Sequence, residues 1–302
     1  MLLVQTTKGA YSATGNNAVG PAYSGRGVAG QPQYFGTTNL QKVAFIGKEG
    51  VGIRSCHTNY GATLVLFDDD ELWGWGSNTN GQLGLGDTTA REFPVLLKTG
   101  VAEILTREDS SGFSYENATQ FIKATDGWIW AAGRNLNGMM GLGDATIRNT
   151  WTRLDWIGQS PLAVKPIGTT YGFMFVQKSD QTLWVTGYNG YGQFGDGTTT
   201  SVTTAIDVSD NWFGVGNTFP IFDIVGGAGW FVSSAQSQSF AIIVYDNLGT
   251  KVSQGAGDNS WGQLATGATG GSFSTPQVMT LGDIVQISAI GGGPAACSVV
   301  RS

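Results

Sequence analysis

The chain has 302 residues, of which 41% are apolar and only 13% charged, so it can bury a substantial core and is not a disordered polymer. Its net charge is −6 and no stretch is rich in Lys or Arg, which excludes nucleic acid or an anionic membrane surface as the main partner, because both need a basic footprint. No apolar run reaches the length of a membrane span, so no membrane insertion is expected, and two cysteines, Cys56 and Cys297, cannot make a disulfide framework.

In chain order, Met1 to Lys8 lacks the charged start and long apolar core of a signal peptide, so synthesis in the cytosol is expected. Leu2-Leu3-Val4 reads as the first arm of a hairpin, and a worn glycine turn follows at 15–20. A short strand is expected from Val43 to Ile46. The next hairpin has arms at Leu64–Phe67 and Leu72–Trp75, joined by Asp68-Asp69-Asp70, and runs into the turn Gly76-Ser77-Asn78-Thr79-Asn80-Gly81-Gln82-Leu83-Gly84. The same order recurs. Gln120-Phe121-Ile122, Asp126-Gly127 and Ile129–Ala132 lead to a turn at 133–141. Phe173–Val176, Ser179-Asp180-Gln181 and Leu183–Thr186 lead to one at 187–195. Ala241–Val244, Asn247-Leu248-Gly249 and a second arm lead to one at 257–264. Asp-Gly between apolar runs is a strong hairpin signal. A polar loop follows each turn, then short strands, two of them carrying Pro94 and Pro276, and another spaced apolar-x-x-Ile from Val101, Val164, Ile221 and Ile284.

Aligned on the first glycine of Gly-x-Asn-x-x-Gly, the copies begin at Gly15, Gly76, Gly133, Gly187 and Gly257. Self-similarity at such a period marks a repeat architecture. In the turn, Asn78, Asn135, Asn189 and Asn259 can bond their own backbone and tolerate a left-handed conformation, while Gly81, Gly138, Gly192 and Gly262 supply positive φ. All of these read as architectural. About four short strands per unit, no helical period, and copies from end to end describe one domain, 1–302. The expected fold is all-β, a five-bladed β-propeller, in which radial repetition leaves only short edges. The final strands, Ile284–Ile287 and Cys297–Val300, are expected to complete the blade begun at the N-terminus, closing the ring and leaving one first arm in surplus.

The stretch from Leu72 to Asp87 resembles the RCC1 repeat, with its aromatic-Gly, Gly-x-Asn-x-x-Gly-Gln-Leu-Gly and Gly-Asp. The copies at 129–144 and 183–196 are similar to it, that at 255–264 in part. The resemblance implies a β-propeller, with five motifs here against the seven blades of the best-known members. It fixes no function: members include a GTPase exchange factor, a chromatin binder, a light receptor and protein inhibitors, and divergent copies look like those of bacterial and bacteriophage surface or virion proteins.

Catalytic chemistry is sparse. His57, the one histidine, adjoins Cys56, and neighbours in a strand point to opposite faces, so the two form no nucleophile pair. Gly25–Gly30 and Gly190–Gly195 spell Gly-x-Gly-x-x-Gly, but the first runs into Gln31-Pro32 and the second is the repeat's own turn. The acidic run Asp68–Glu71 lacks Ca²⁺-loop spacing and reads as a solvated tip. Asp87, Asp144 and Asp196 recur in register and read as loop-bonding residues. The candidate binding residues are aromatics in Gly/Asn-rich segments: Trp212, Phe213, Trp230 and Phe231 in the insertion that lengthens the fourth repeat, and Trp151 and Trp156 on a loop. Such side chains stack on sugars or anchor protein interfaces, and equally plug a core. The expected function is a non-enzymatic interaction or structural module with no cofactor or metal: a virion or surface component such as a phage tail, fibre or decoration protein, binding proteins of its assembly or a cell-surface protein or glycan. The alternative is a cytoplasmic RCC1-like regulator binding a GTPase or another protein.

Overall fold

The computed structural model describes residues 2–5, 11–14, 41–43, 45–59, 61–105, 118–167, 172–230, 237–260, 262–267, 269–279, 284–290 and 296–301. The turn expected at 15–20 and the Gly25–Gly30 string lie outside them. The chain divides into two compact units, the first made of Met1–Glu108, Tyr115–Arg134 and Ile147–Arg153, the second of Asp109–Ser114, Asn135–Thr146 and Leu154–Ser302.

In the first unit, β1 (Leu2–Gln5), β2 (Tyr11–Thr14) and β3 (Gln41–Val43) form a three-stranded antiparallel sheet. Two four-stranded meanders follow. One is β4 (Ile53–Asn59), β5 (Ala62–Phe67), β6 (Leu72–Gly76) and β7 (Arg91–Lys98); the other is β8 (Val101–Ile104), β9 (Thr119–Ala124), β10 (Ile129–Gly133) and β11 (Arg148–Arg153). The second unit holds two more meanders. These are β12 (Ala163–Ile167), β13 (Phe173–Gln177), β14 (Leu183–Gly187) and β15 (Val202–Asp207), then β16 (Ile221–Trp230), β17 (Ser237–Asn247), β18 (Thr250–Asp258) and β19 (Ser272–Val278). A two-stranded sheet, β20 (Ile284–Ile290) with β21 (Ala296–Arg301), completes it, and the first strand β16 neighbours both β12 and β20. The sole α-helix among the described residues is α1 (Ser209–Phe213), too short to cross a membrane.

The expected hairpin arms are β5–β6, β9–β10, β13–β14 and β17–β18. The expected strand at Val43–Ile46 is different. Gln41–Val43 is the outer strand of the preceding sheet, Phe45 begins a turn in which Gly47 and Gly50 take φ of 80° and 82°, and the next sheet starts at Ile53. Ile46, which ends the expected spacing, is 85% exposed, and it is Phe45 that packs back on the sheet, against Phe67 and Trp75.

Why the first arms read as continuous apolar runs is plain from β5, which is buried at every position. Alternate side chains enter two different cores. Leu64 and Leu66 pack with Leu72, Leu83, Val101 and Ile122, while Val65 and Phe67 pack on the other face with Phe45 and Trp75. A strand covered on both faces has no polar side. The outer strands β7 and β19 carry Pro94 and Pro276, tolerated because an edge strand has a row of N–H groups with no partner to serve.

The repeat turn begins where the second arm breaks register. The ladder to the outer strand slips between Gly74 and Gly76, between Ala131 and Gly133, and between Val185 and Gly187. These glycines have φ of 103° to 109°, and a Cβ would stand 2.0 Å from the Gly61 carbonyl oxygen at Gly76 and 1.8 Å from that of Ala118 at Gly133. The asparagine two residues on is not left-handed, as its local turn chemistry suggests; Asn135 has φ −122°. It is fully buried, and its Oδ1 accepts the backbone N–H five residues ahead, at Leu83, Met140, Phe194 and Leu264, each at 2.9 Å. Its Nδ2 donates across the loop, from Asn78 to the Asp87 carbonyl and from Asn135 to that of Asp144. The aspartate in turn caps the loop, Thr89 N–H and Thr146 N–H donating to Asp87 and Asp144. Asn189→Ala should therefore strand the buried Phe194 N–H and cost about 2 kcal/mol, read by chemical denaturation. An unchanged midpoint would contradict this role.

Candidate protein-interaction surface

In each sheet the hairpin turn joins the second and third strands at one end, and at each a cation is laid on an aromatic ring, with an acid beside it at the β5–β6, β9–β10 and β13–β14 turns. At the β9–β10 turn Asp126 sits with Lys98, whose Nζ is 3.8 Å from the Trp130 ring centroid, and Arg153 covers Trp128 at 4.5 Å. At the β13–β14 turn Asp180 sits with Lys178, 3.6 Å from Trp184 and 5.9 Å from Trp156. At the β17–β18 turn Lys251 lies over the exposed Phe222 at 4.7 Å and Leu248 is 93% exposed. Burial pulls the Lys98 and Lys178 ammonium groups below the usual lysine range, against the opposing charge of Asp126 and Asp180. Three of the rings, Trp73, Trp130 and Trp184, share one repeat position, the second residue of the second arm, whereas Phe222 comes from β16. Trp73 Nε1–H donates to Glu71 and Trp184 Nε1–H to Thr182, each two residues back. Cation–π contact of this kind is worth about 0.5–1 kcal/mol at exposed sites and more when desolvated.

The β5–β6 turn departs most from a solvated acidic tip. Arg54 donates to the Asp68 carbonyl and pairs with Asp70 at 2.8 Å. Lys48, whose side chain is 5% exposed, is clamped by Asp69 and Glu71 and lies 5.4 Å from the Phe67 ring and 5.9 Å from Trp73. Burial lowers the Lys48 pKa, but hydrogen bonds and charge from the two carboxylates outweigh it and leave it raised. Asp69 is likewise pushed up by burial and, on balance, held down by Lys48, while Glu71 is held down by hydrogen bonds from Lys48 and Trp73. The signs follow. Depressed carboxylates contribute stability that is full above their unfolded pKa and is lost as pH falls through the folded value; the raised lysine contributes stability lost only as pH rises through its folded value. The melting-temperature gap between wild type and Lys48→Met should thus be widest near neutral pH and shrink below about pH 4. A gap constant from pH 3 to 7 would contradict the clamp.

The residues singled out in the sequence fall in three places. Trp212 and Phe213 lie on α1 with 1% and 6% exposure, inside the core formed with Phe173, Phe175, Phe194 and Tyr245. They face no solvent and so offer no binding surface as placed. Trp156 and Trp212 each cover a turn glycine, Gly141 and Gly195, and donate Nε1–H to the carbonyls of Met140 and Phe194, both at 2.8 Å. Trp151 covers Gly84 in the same way without that bond. Trp230 ends β16, where the backbone alone is described, and Phe231 lies outside the described residues. His57 stands opposite Leu64 and Cys56 opposite Val65 in β4, on opposite faces as strand alternation requires. Among the described residues no group of three or more His, Cys, Asp or Glu side chains is placed to hold a metal ion. Lys48, Lys98 and Lys178 were missed in the sequence; the recurring Trp in the second arm was the available signal, but its partners come from three different repeat positions.

Four antiparallel four-stranded meanders joined in series, each with the same glycine turn between its third and fourth strands, define an all-β repeat protein of the propeller-blade class. Residues 69–104 match the model of the regulator of chromosome condensation (RCC1) repeat, and the chain is similar to RCC1-like repeat proteins. Human protein RCC2 is 36% identical over 84 residues, covering 28% of this chain and 15% of RCC2. Among solved structures, human WBSCR16 superposes with a TM-score of 0.67 at 19% identity, over 99% of this chain and 69% of that one. Yeast RCC1 (Prp20), in its complex with Kap60, gives 0.62 at 14% identity over 99% and 65%. The chain spans less than a fifth of the length of the first curated relatives it matches.

Proposed function

We propose that this chain is a non-enzymatic protein-binding module that engages its partner through the hairpin-turn end of its sheets. One observation carries the reading: a lysine is held on an aromatic ring beside the hairpin turn, Lys98 on Trp130 in the first unit, and Lys178 on Trp184 and Lys251 on Phe222 in the second. Fixed aromatics and cations lose little conformational freedom on binding, the economy that protein hot spots exploit. That yeast Prp20 is held by Kap60 in its solved complex favours a protein partner, and hence the regulatory RCC1-like setting. The virion setting is favoured by composition alone, 47 glycines with 13% charge, and gene order separates the two. Affinity capture from the source cells should recover a protein with wild type that the charge-reversed Asp126→Lys/Asp180→Lys chain fails to hold. Equal recovery by both, or turnover of a captured small molecule, would sink the reading.

We further propose that the blades number five and close into a ring. The support is positional: β1, β2 and β3 match the second, third and fourth strands of a meander, β20 and β21 the first and second. One second-position strand is then surplus. Removing Ala295 to Ser302 should lower the melting temperature and broaden sedimentation; a truncated chain that is monomeric and fully stable argues against closure.

A further inference from the structure

We infer that the cage formed by Phe67, Trp73, Asp69 and Glu71 is a seat for a primary alkylammonium, the end group of a lysine on a protein partner, with Lys48 as its internal occupant. That the partner is a protein rests on the function proposed above; the chemistry of the seat does not. The ligand class is read from what occupies the cage. The Lys48 ammonium is met by two carboxylates and two ring faces, the combination that recognises an alkylammonium and discriminates against a neutral chain. Trp73 is fixed in place by its own bond to Glu71, at 2.8 Å, and by Phe45 packed edge-on at 6.1 Å, so the seat is built by groups other than its occupant.

The occupant, by contrast, sits on a strap that is otherwise exposed. Between Phe45 and Val51 every residue except Lys48 is exposed, and Ile46 is 85% exposed. Gly47 and Gly50 have positive φ, with nothing within 4 Å of where their Cβ would stand. Phe45 anchors one end in the core, Val51 packs at the other, and between them Lys48 is the buried residue, its N–H donating to the Phe45 carbonyl and its carbonyl accepting from the Val51 N–H. Withdrawing it opens the seat without dismantling the sheet. An incoming lysine therefore competes with a tethered one. Affinity in trans is reduced by the fraction of time the strap is closed.

The test uses the full chain, wild type and Lys48→Ala, titrated with n-butylammonium and with n-butanol as the uncharged control, following the Trp73 indole N–H resonance. Lys48→Ala should bind butylammonium at least ten-fold more tightly than wild type, ignore butanol, and lose binding when Trp73→Leu is added. A lysine-containing tripeptide should follow butylammonium, and its norleucine counterpart should not. Equal titrations of wild type and Lys48→Ala, or equal response to butanol, would overturn the seat. If Lys48→Ala does not fold alone, folding restored by butylammonium and not by butanol reads the same property, and no restoration overturns it. A cage that takes no ammonium leaves the protein-binding reading standing; loss of partner capture with a working cage does the reverse.

Discussion

Gly133→Val is expected to unfold the protein at temperatures where wild type is fully native, with a loss of at least about 4 kcal/mol, in the exceptional range for a single substitution. Two separate costs add. The backbone stands at φ 103°, which a β-branched residue does not adopt without strain. The Cβ would also lie 1.8 Å from the Ala118 carbonyl oxygen and 3.2 Å from the Thr119 Cα, so it meets main chain, which has no rotamer to yield. That oxygen accepts the Arg134 N–H at 3.0 Å, and moving it breaks the bond that closes the turn. Gly267 is the control. Its φ is 83° but nothing lies within 4 Å of its Cβ, so Gly267→Ala should cost only about 1–2 kcal/mol, the left-handed penalty alone. Denaturant midpoints of the two variants decide it; similar losses at both positions would contradict the crowded turn.

Trp212→Ala should cost about 3–5 kcal/mol, the range for deleting a large buried aromatic. Its indole is 1% exposed, meets Phe175 edge-on at 5.9 Å, and donates to the Phe194 carbonyl, so truncation leaves a cavity and an unserved buried acceptor together. Below its lowered melting temperature the variant should hold the captured partner as wild type does. A stable variant that loses the partner would instead make Trp212 a contact residue.

What the sequence made legible follows from how local the causes are. The hairpins and the Gly-x-Asn turn were readable because apolar arms, Asp-Gly tips and obligatory glycines act within a dozen residues. The seating of Asn78 and Asn189 was half readable: residue type announced a turn, yet the Oδ1 bond reaches five residues on and the side chain is buried, which depends on the closed loop. Trp212 and Phe213 looked like surface aromatics because Asn211 and Gly214 flank them, and only the helical turn from Ser209 to Phe213 swings them inward. The lysine partners lie beyond any local pattern. Lys48 is separated from Glu71 by a whole strand pair, and nothing near position 48 announces the cage.

Hydrogen exchange of the intact chain, alone and with the captured partner, tests most directly the claim that the hairpin-turn end is the binding surface. The account predicts slowed exchange at 68–71, 126–127, 180–182 and 246–251, with the loops at 77–87, 134–144 and 188–197 unchanged. Slowed exchange confined to those loops, with the hairpin turns unaffected, would contradict it.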